Sequence, residues 1–416
     1  MLSVRLGWRN LWRNPRRSVI TGLAISAALV VLMILIALLA GLRDQLLRNG
    51  TELLMSHMQL HHSAYLPDRH IADTLPVDDL ETLLASLEAH AAIEAASPRV
   101  RAHALLSSRE QSAGAQLLGI DPRLERAVTV LLERQVGETR DPQAGEFGML
   151  LGATLARELE AEPGTELAVV TQAADGSLGN ELFTVTGVLR TGARALDQGL
   201  AVVHIEDLRW LLVLGPDDTH EVAMIAENPH AAEAAVRTLA ASGLLPEDTH
   251  LRPWSEIAPQ LRDYITMNEG ASRFLVLIVA LFAAFGVMNS MLMAVHERMR
   301  EFGTLNALGA RPALILLSLT AEAMLLALLG LALGLGAGMA VTFHMVQSGW
   351  DLTRWTGELS MMDTHLDPVL HGAWVWPEIA SAAVGLAVAT LLAVLLAAAR
   401  IVRLDPVRAM SAPTEG

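Results

Sequence analysis

Four long apolar runs punctuate the chain, at residues 19–42, 273–295, 313–342 and 378–401. Each has the roughly 20 residues that a helix needs to cross a bilayer. Between the first two lies a polar segment, 43–272, in which apolar positions recur at shorter periods. Met55–His62 (MSHMQLHH) predicts a strand leaving the first run. Val77–Ala89 has helical spacing, with acidic residues early in the helix where its dipole favours them. RVRAHALLSS and AQLLGIDP read as short strands. GMLLGATLARELEAEPGTELAVVTQ reads as a helix, a Pro-Gly turn and a strand, and Asp175-Gly176 as a tight hairpin turn returning through ELFTVTGVL. EVAMIAEN predicts a strand, and PHAAEAAVRTLAAS a helix. The pattern predicts an α-helical membrane protein with four transmembrane helices. Between helices 1 and 2 it places a large two-lobed α+β extracytoplasmic domain, with a β-rich lobe inserted at about 123–219.

Composition agrees. The 416 residues are 52% hydrophobic, with a mean hydropathy of +0.39, more apolar than ordinary soluble chains. There is no cysteine, which excludes disulfides and thiolate metal sites. There is also no lysine: all 30 basic residues are arginine. A P-loop needs its lysine on the phosphates, so this chain holds no such ATPase site, and Schiff-base chemistry is excluded too. Net charge is −15, distributed unevenly. Residues 43–269 carry 35 acidic residues against 17 arginines, whereas the short segments are basic. Arg5, Arg9, Arg13, Arg16 and Arg17 lie in 1–18, Arg298, Arg300 and Arg311 in 296–312, and Arg403 and Arg408 in 402–416. Basic short loops stay in the cytoplasm. Both termini and the 296–312 loop are therefore expected inside, and 43–272 and the 343–377 loop outside. The first apolar run exceeds the 7–15 residues of a signal-peptide core and reads as a retained anchor.

Candidate chemistry is sparse. If His57–His62 is a strand, His57 and His61 share a face and could pair on a metal; solvated or packed imidazoles are the preferred reading. The same holds for His344, Asp363, His365, Asp367 and His371. No metal site, catalytic residue or nucleotide loop is assigned, and no enzyme activity is expected. Glu322 lies about ten residues into the third run, roughly 15 Å along a helix, where a carboxylate must face protein or water. It is either a coupling residue or a helix–helix hydrogen bond. Gly330, Gly334 and Gly338, four apart, predict close helix packing. Trp350, Trp355, Trp374 and Trp376 read as interfacial anchors. The polar loop VHERMREFGTLNALGARP, set between two apolar runs, reads as a docking element for a soluble motor protein.

ERMREFGTLNALGA (297–310) resembles the signature of ABC permeases of the MacB/FtsX/lipoprotein-releasing (LolC/LolE) type. LTAEAMLLALLG around Glu322 is similar to that family's third span, and WRNLWRNPRRS and RIVRLDPVRAM to its termini. GMLLGATLARELEAEPGTELAVV resembles the outer domain of lipoprotein-releasing permeases. The resemblance covers nearly the whole chain. It implies a bacterial inner-membrane permease subunit that pairs with a second copy or a paralogue and binds a cytoplasmic ATPase dimer. That partner would hold the ATP and magnesium, so no cofactor is expected in this chain. The permease would transmit ATP-driven closure mechanically to its outer domain. By position, Glu297, Arg298, Arg300, Glu301 and Gly303 fall in the ATPase-coupling element, with Leu305, Leu308 and Gly309 packing it. Extraction or export of a lipoprotein or amphipathic cargo is the expected work, with a chaperone or adaptor as a further partner. Regulation of a cell-wall hydrolase and a tripartite efflux pump are the alternatives. The hairpin at 173–180 is shorter than that of the chaperone-recruiting relative and lacks its proline, so the resemblance does not extend to chaperone recruitment.

Overall fold

The computed structural model describes residues 15–66, 69–297, 312–351, 360–361, 364–365 and 369–402. They fall into two units, one of 1–44, 266–355 and 369–416, the other of 45–265 and 356–368.

The elements run as follows. Helix α1 (Pro15–Gly50) ends in a five-residue π-turn, Thr51–Met55. Then come β1 (Met58–His62), α2 (Leu80–Glu88), β2 (Ala95–Ser107) and β3 (Ser112–Ile120). After α3 (Pro122–Val128) and β4 (Gln135–Val136) follow β5 (Gly148–Gly152), α4 (Ala153–Glu158), β6 (Glu166–Gln172) and β7 (Leu178–Leu189). Next are α5 (Arg194–Gly199), β8 (Leu200–His204), α6 (Ile205–Leu212), β9 (Glu221–Ile225), α7 (Ala232–Ala241), β10 (Thr249–Pro253) and α8 (Trp254–Ile257). Helices α9 (Pro259–Glu297) and α10 (Pro312–Ser348) precede the two-residue strands β11 (Trp350–Asp351), β12 (Ser360–Met361), β13 (Thr364–His365) and β14 (Val369–Leu370). Helix α11 (Trp376–Val402) is last.

All four apolar runs fall on helices α1, α9, α10 and α11. Among the described residues, Ser18–Met55, Pro259–Gly286 and Thr320–Ser348 are long and apolar enough to cross a membrane, and Trp376–Leu392 is a shorter apolar stretch.

The sheet unit has one ten-stranded sheet and two principal cores. Strands β2, β3, β8, β5, β7 and β6 pair in that order, and β6 returns to β2, closing a six-stranded barrel. Alternation puts Val100, Ala102, Ala104 and Leu106 of β2 inside, with Leu117, Met149, Leu167, Phe183 and Val203 from the other strands. Residues 123–219 supply part of this core, and the β2–β3 hairpin supplies the rest. The other lobe extends the same sheet as β2–β9–β1–β10, with Leu83 and Leu87 of α2 and Leu239 of α7 in its core. Strand β2 serves both lobes because it has thirteen residues: Ala95–Arg99 pair with β9, and Arg99–Ser107 with β3.

The expected hairpin forms at Asp175-Gly176. Gly176 has φ +83°, and the Asp175 carboxylate accepts from Ser177 N at 2.9 Å. The 148–172 stretch begins with strand β5, where the sequence pattern predicts a helix. MLL is a buried barrel strand whose apolar run cannot be told from a buried helix by periodicity.

Candidate functional site: a buried ionic joint and a glycine-lined helix contact

At Arg99 strand β2 changes partner from β9 to β3, and there its side chain is fully buried. Its Nη2 donates to Glu125 Oε1 at 2.6 Å, Nε to Glu125 Oε2 at 3.1 Å and Nη1 to Glu221 Oε1 at 3.2 Å. The same Nη1 donates to the carbonyl of Leu54, in the π-turn that ends α1, at 2.5 Å. Glu125 also accepts from Ser97 Oγ at 2.9 Å and Thr129 Oγ1 at 2.7 Å. Arg101 grips Glu221 with two bonds of 2.8 Å. Two arginines and two glutamates thus neutralise one another where both lobes meet the end of α1. Burial raises the Glu221 carboxyl, but Arg101 and then Arg99 overcome this and hold it far below the usual range. The cluster's attraction must offset the desolvation of four charges, and the bidentate geometry makes that attainable.

Beside it three rings stack: His61 on Tyr65 at 5.4 Å and Tyr65 on His220 at 5.3 Å. His61 Nε2 lies 3.0 Å from Gln59 Oε1, and His220 Nε2 lies 2.8 Å from Ile71 O. Burial lowers the His61 pKa to about 4, partly opposed by Glu221, and lowers those of His57 and His220 as well. The strand begins at Met58, after Ser56 at φ +60°, so His57 takes no place in it. Its Nδ1 instead lies 3.0 Å from Ala226 O. Among the described residues no group of three potential ligands could hold a metal; Asp363 and Asp367 of the second histidine cluster lie outside them.

In the helical unit Gly330, Gly334 and Gly338 face α1 at successive turns. A Cβ on Gly330 would come 2.8 Å from Ile25 Cβ and 3.0 Å from the Gly22 carbonyl. One on Gly334 would meet the Ser26 carbonyl at 3.0 Å, and one on Gly338 would overlap Met33 Sδ. Glu322 is buried at 3% exposure, one turn before Leu326, which packs with Ile25 and Leu29. Trp374 and Trp376 stack at 5.2 Å where α11 begins. Of the coupling residues, Glu297 ends α9. Arg298, Arg300, Glu301, Gly303, Leu305, Leu308 and Gly309 lie outside the described residues.

The hydrophobic pattern does not predict the ionic joint. The available signal was Arg99 and Arg101 two apart in a strand otherwise built for a core, since alternation puts both on one face.

Long apolar helices with a barrel-and-sheet domain inserted after the first are the architecture of a membrane-anchored protein. Residues 273–406 match the FtsX-like permease C-terminal family and 18–242 the MacB-like periplasmic core domain. The chain is 30% identical over 301 residues to the lipoprotein-releasing system transmembrane protein LolC of Neisseria meningitidis, across 70% of this chain and 68% of that one. It is 25% identical over 360 residues to LolC of Xylella fastidiosa, covering 83% and 82%. To the macrolide export ATP-binding/permease protein MacB of Nitrobacter winogradskyi it is 31% identical over 219 residues, covering 50% of this chain and 33% of that one. The chain belongs to the ABC transporter permease family of LolC and MacB.

Proposed function

We propose that this chain is the permease subunit of a lipoprotein-releasing ABC transporter in the bacterial inner membrane, with ATP hydrolysed by a separate subunit. The observation that carries the reading is the LolC likeness across most of both chains, in a sequence without a single lysine for a P-loop. The MacB likeness spans a third of a protein whose name includes ATP binding; it supports the shared permease architecture more than the macrolide cargo.

In this reading the 296–312 loop docks on the ATPase through Glu297, Arg298, Arg300 and Glu301, and both termini are cytoplasmic. The π-turn that ends α1 is gripped by Arg99, so a force on that turn loads both lobes of the outer domain together. A second permease, copy or paralogue, completes the transporter.

The test is purification of the tagged full chain in mild detergent beside an Arg300→Glu, Glu301→Arg variant. Wild type is expected to retain a P-loop ATPase, identified by mass spectrometry and by vanadate-sensitive hydrolysis, and the variant to lose it while keeping its own melting temperature. Wild type without any ATPase overturns the reading. A co-purifying lipoprotein or a small drug-like molecule then decides between the LolC-type and MacB-type cargo.

A further inference from the structure

Within the helical unit, Arg43 of α1 stands among carboxylates from two other helices. Its Nη1 lies 3.5 Å from Glu269 Oε1 of α9 and 3.7 Å from Glu378 Oε1 of α11. Both distances exceed those of a close charge-assisted hydrogen bond. The side chain is only 18% exposed, against 37% for Glu269 and 41% for Glu378. A single nitrogen is thus shared between two acceptors and fully committed to neither. Arg273, one turn further along α9, reaches the second oxygen of Glu269 at 3.7 Å, so Glu269 keeps a partner when Arg43 leaves it.

The two helices facing Arg43 are held to α1 differently. The segment leading into α11 is stitched in by backbone: Ala373 N donates to the Ala37 carbonyl at 3.0 Å, and Gly372 N to the Met345 carbonyl of α10 at 3.2 Å. Gly41 makes room for this strap, since a Cβ there would overlap the His371 carbonyl. Gly372 sits against Met345 and Ala37 on the other side. Helix α11 therefore starts from a fixed point on α1 and α10. The start of α9 packs on the end of α1, with Leu261 and Ile265 in one apolar cluster with Leu47; at Glu269 the charge pair with Arg43 adds to that hold.

We propose that Arg43 is a two-partner latch: held toward Glu269 it draws the Glu269 turn of α9 against α1, and handed to Glu378 it frees that turn while the 371–373 strap keeps α11 in place. The exchange costs little because each state keeps one ion pair, and Arg273 neutralises the glutamate that Arg43 gives up. Partly exposed pairs of this kind bias a two-state balance by small factors, which suits an element that must move in both directions.

The chain contains no cysteine, so spin labels can be placed without removing native thiols. In the full chain in lipid nanodiscs, Met267→Cys and Trp376→Cys, both exposed, report the separation of α9 from the anchored start of α11. The latch predicts opposite signs. Glu269→Gln shifts the distribution toward longer distances by roughly two- to fivefold in population ratio. Glu378→Gln, which leaves Arg43 with Glu269 alone, shifts it toward shorter distances. Arg43→Gln widens it, and Arg43→Lys returns it toward wild type. General loosening of the bundle would widen every variant alike, so widening in Glu378→Gln overturns the proposal, as do unchanged distances in all variants. No ATPase takes part in the measurement, so its outcome is independent of the cargo and partner assignments above.

Discussion

The sheet unit and the helical unit solve the same problem, fixing their own parts of α1 against their surroundings, by opposite means. In the sheet unit the end of α1 is held by a charged side chain: Arg99 reaches the Leu54 carbonyl and is itself fixed by Glu125 and Glu221. In the helical unit the same helix is held by the absence of side chains, with Gly330, Gly334 and Gly338 letting α10 approach its backbone. Within a folded domain a buried ion cluster can be surrounded by enough polar groups to satisfy it, here Ser97 and Thr129 on Glu125. Between apolar helices in lipid there is little hydrophobic gain from association, so close packing supplies the attraction. The joint is therefore directional and intolerant of losing one member, whereas the glycine contact is intolerant of gaining an atom.

The largest effect should follow from breaking the ionic joint on one side. Arg99→Met leaves Glu125 buried without its counter-charge and should cost about 3–5 kcal/mol, whereas adding Glu125→Leu should recover most of that loss. Thermal unfolding of the purified full chain measures both. A double variant no more stable than the single one would mean that Arg99 contributes by packing alone. If the pair is replaced and the fold recovers, a remaining loss of ATP-coupled output would support the transmission proposed above.

Acid should act next. His61 is held neutral in the fold with a pKa near 4, against about 6.5 unfolded. Its folded pKa is depressed, so the stability it contributes is complete above pH 6.5 and is lost as the pH falls toward 4. The unfolded chain binds the proton first, which for a shift of this size removes about 2–4 kcal/mol. His57 and His220 are shifted in the same direction and steepen the fall. Replacing His61 with Gln should flatten the dependence of melting temperature between pH 6.5 and 4; an unchanged slope would assign the acid sensitivity elsewhere. The glycine contact contains no titrating group, so Gly334→Leu should cost about 1–3 kcal/mol by overpacking against Ser26 and Leu29, equally at both pH values.

How much of this was legible follows the same division. The apolar runs, the Gly330–Gly334–Gly338 spacing and the Asp175-Gly176 turn were readable because each depends on residues near one another in sequence. The barrel was not. Its closure depends on β6 meeting β2 across more than sixty residues and on β3 lying parallel to β8, pairings that alternation alone leaves open. The joint was hidden for a related reason: Arg99, Glu125 and Glu221 sit on three elements, and only the register of β2 against β9 places Arg99 opposite Glu221. Three short elements, α3, α5 and α6, are not marked by the pattern either. They have six to eight residues each, too few turns for a helical period to stand out from neighbouring strands.

The smallest effect sharpens the comparison by separating two uses of glycine. Gly176 has φ +83° and open space where a Cβ would go, whereas Gly334 has ordinary helical φ and no space. Gly176→Ala should therefore cost about 1 kcal/mol through backbone strain alone, and Gly176→Asn less, because asparagine visits the left-handed region more readily. At Gly334 the ranking should invert: alanine, being smaller, should be tolerated better than asparagine. Melting temperatures of the four single variants in one buffer decide this. If asparagine outranked alanine at both sites, the contact between α1 and α10 would be governed by backbone conformation rather than by space.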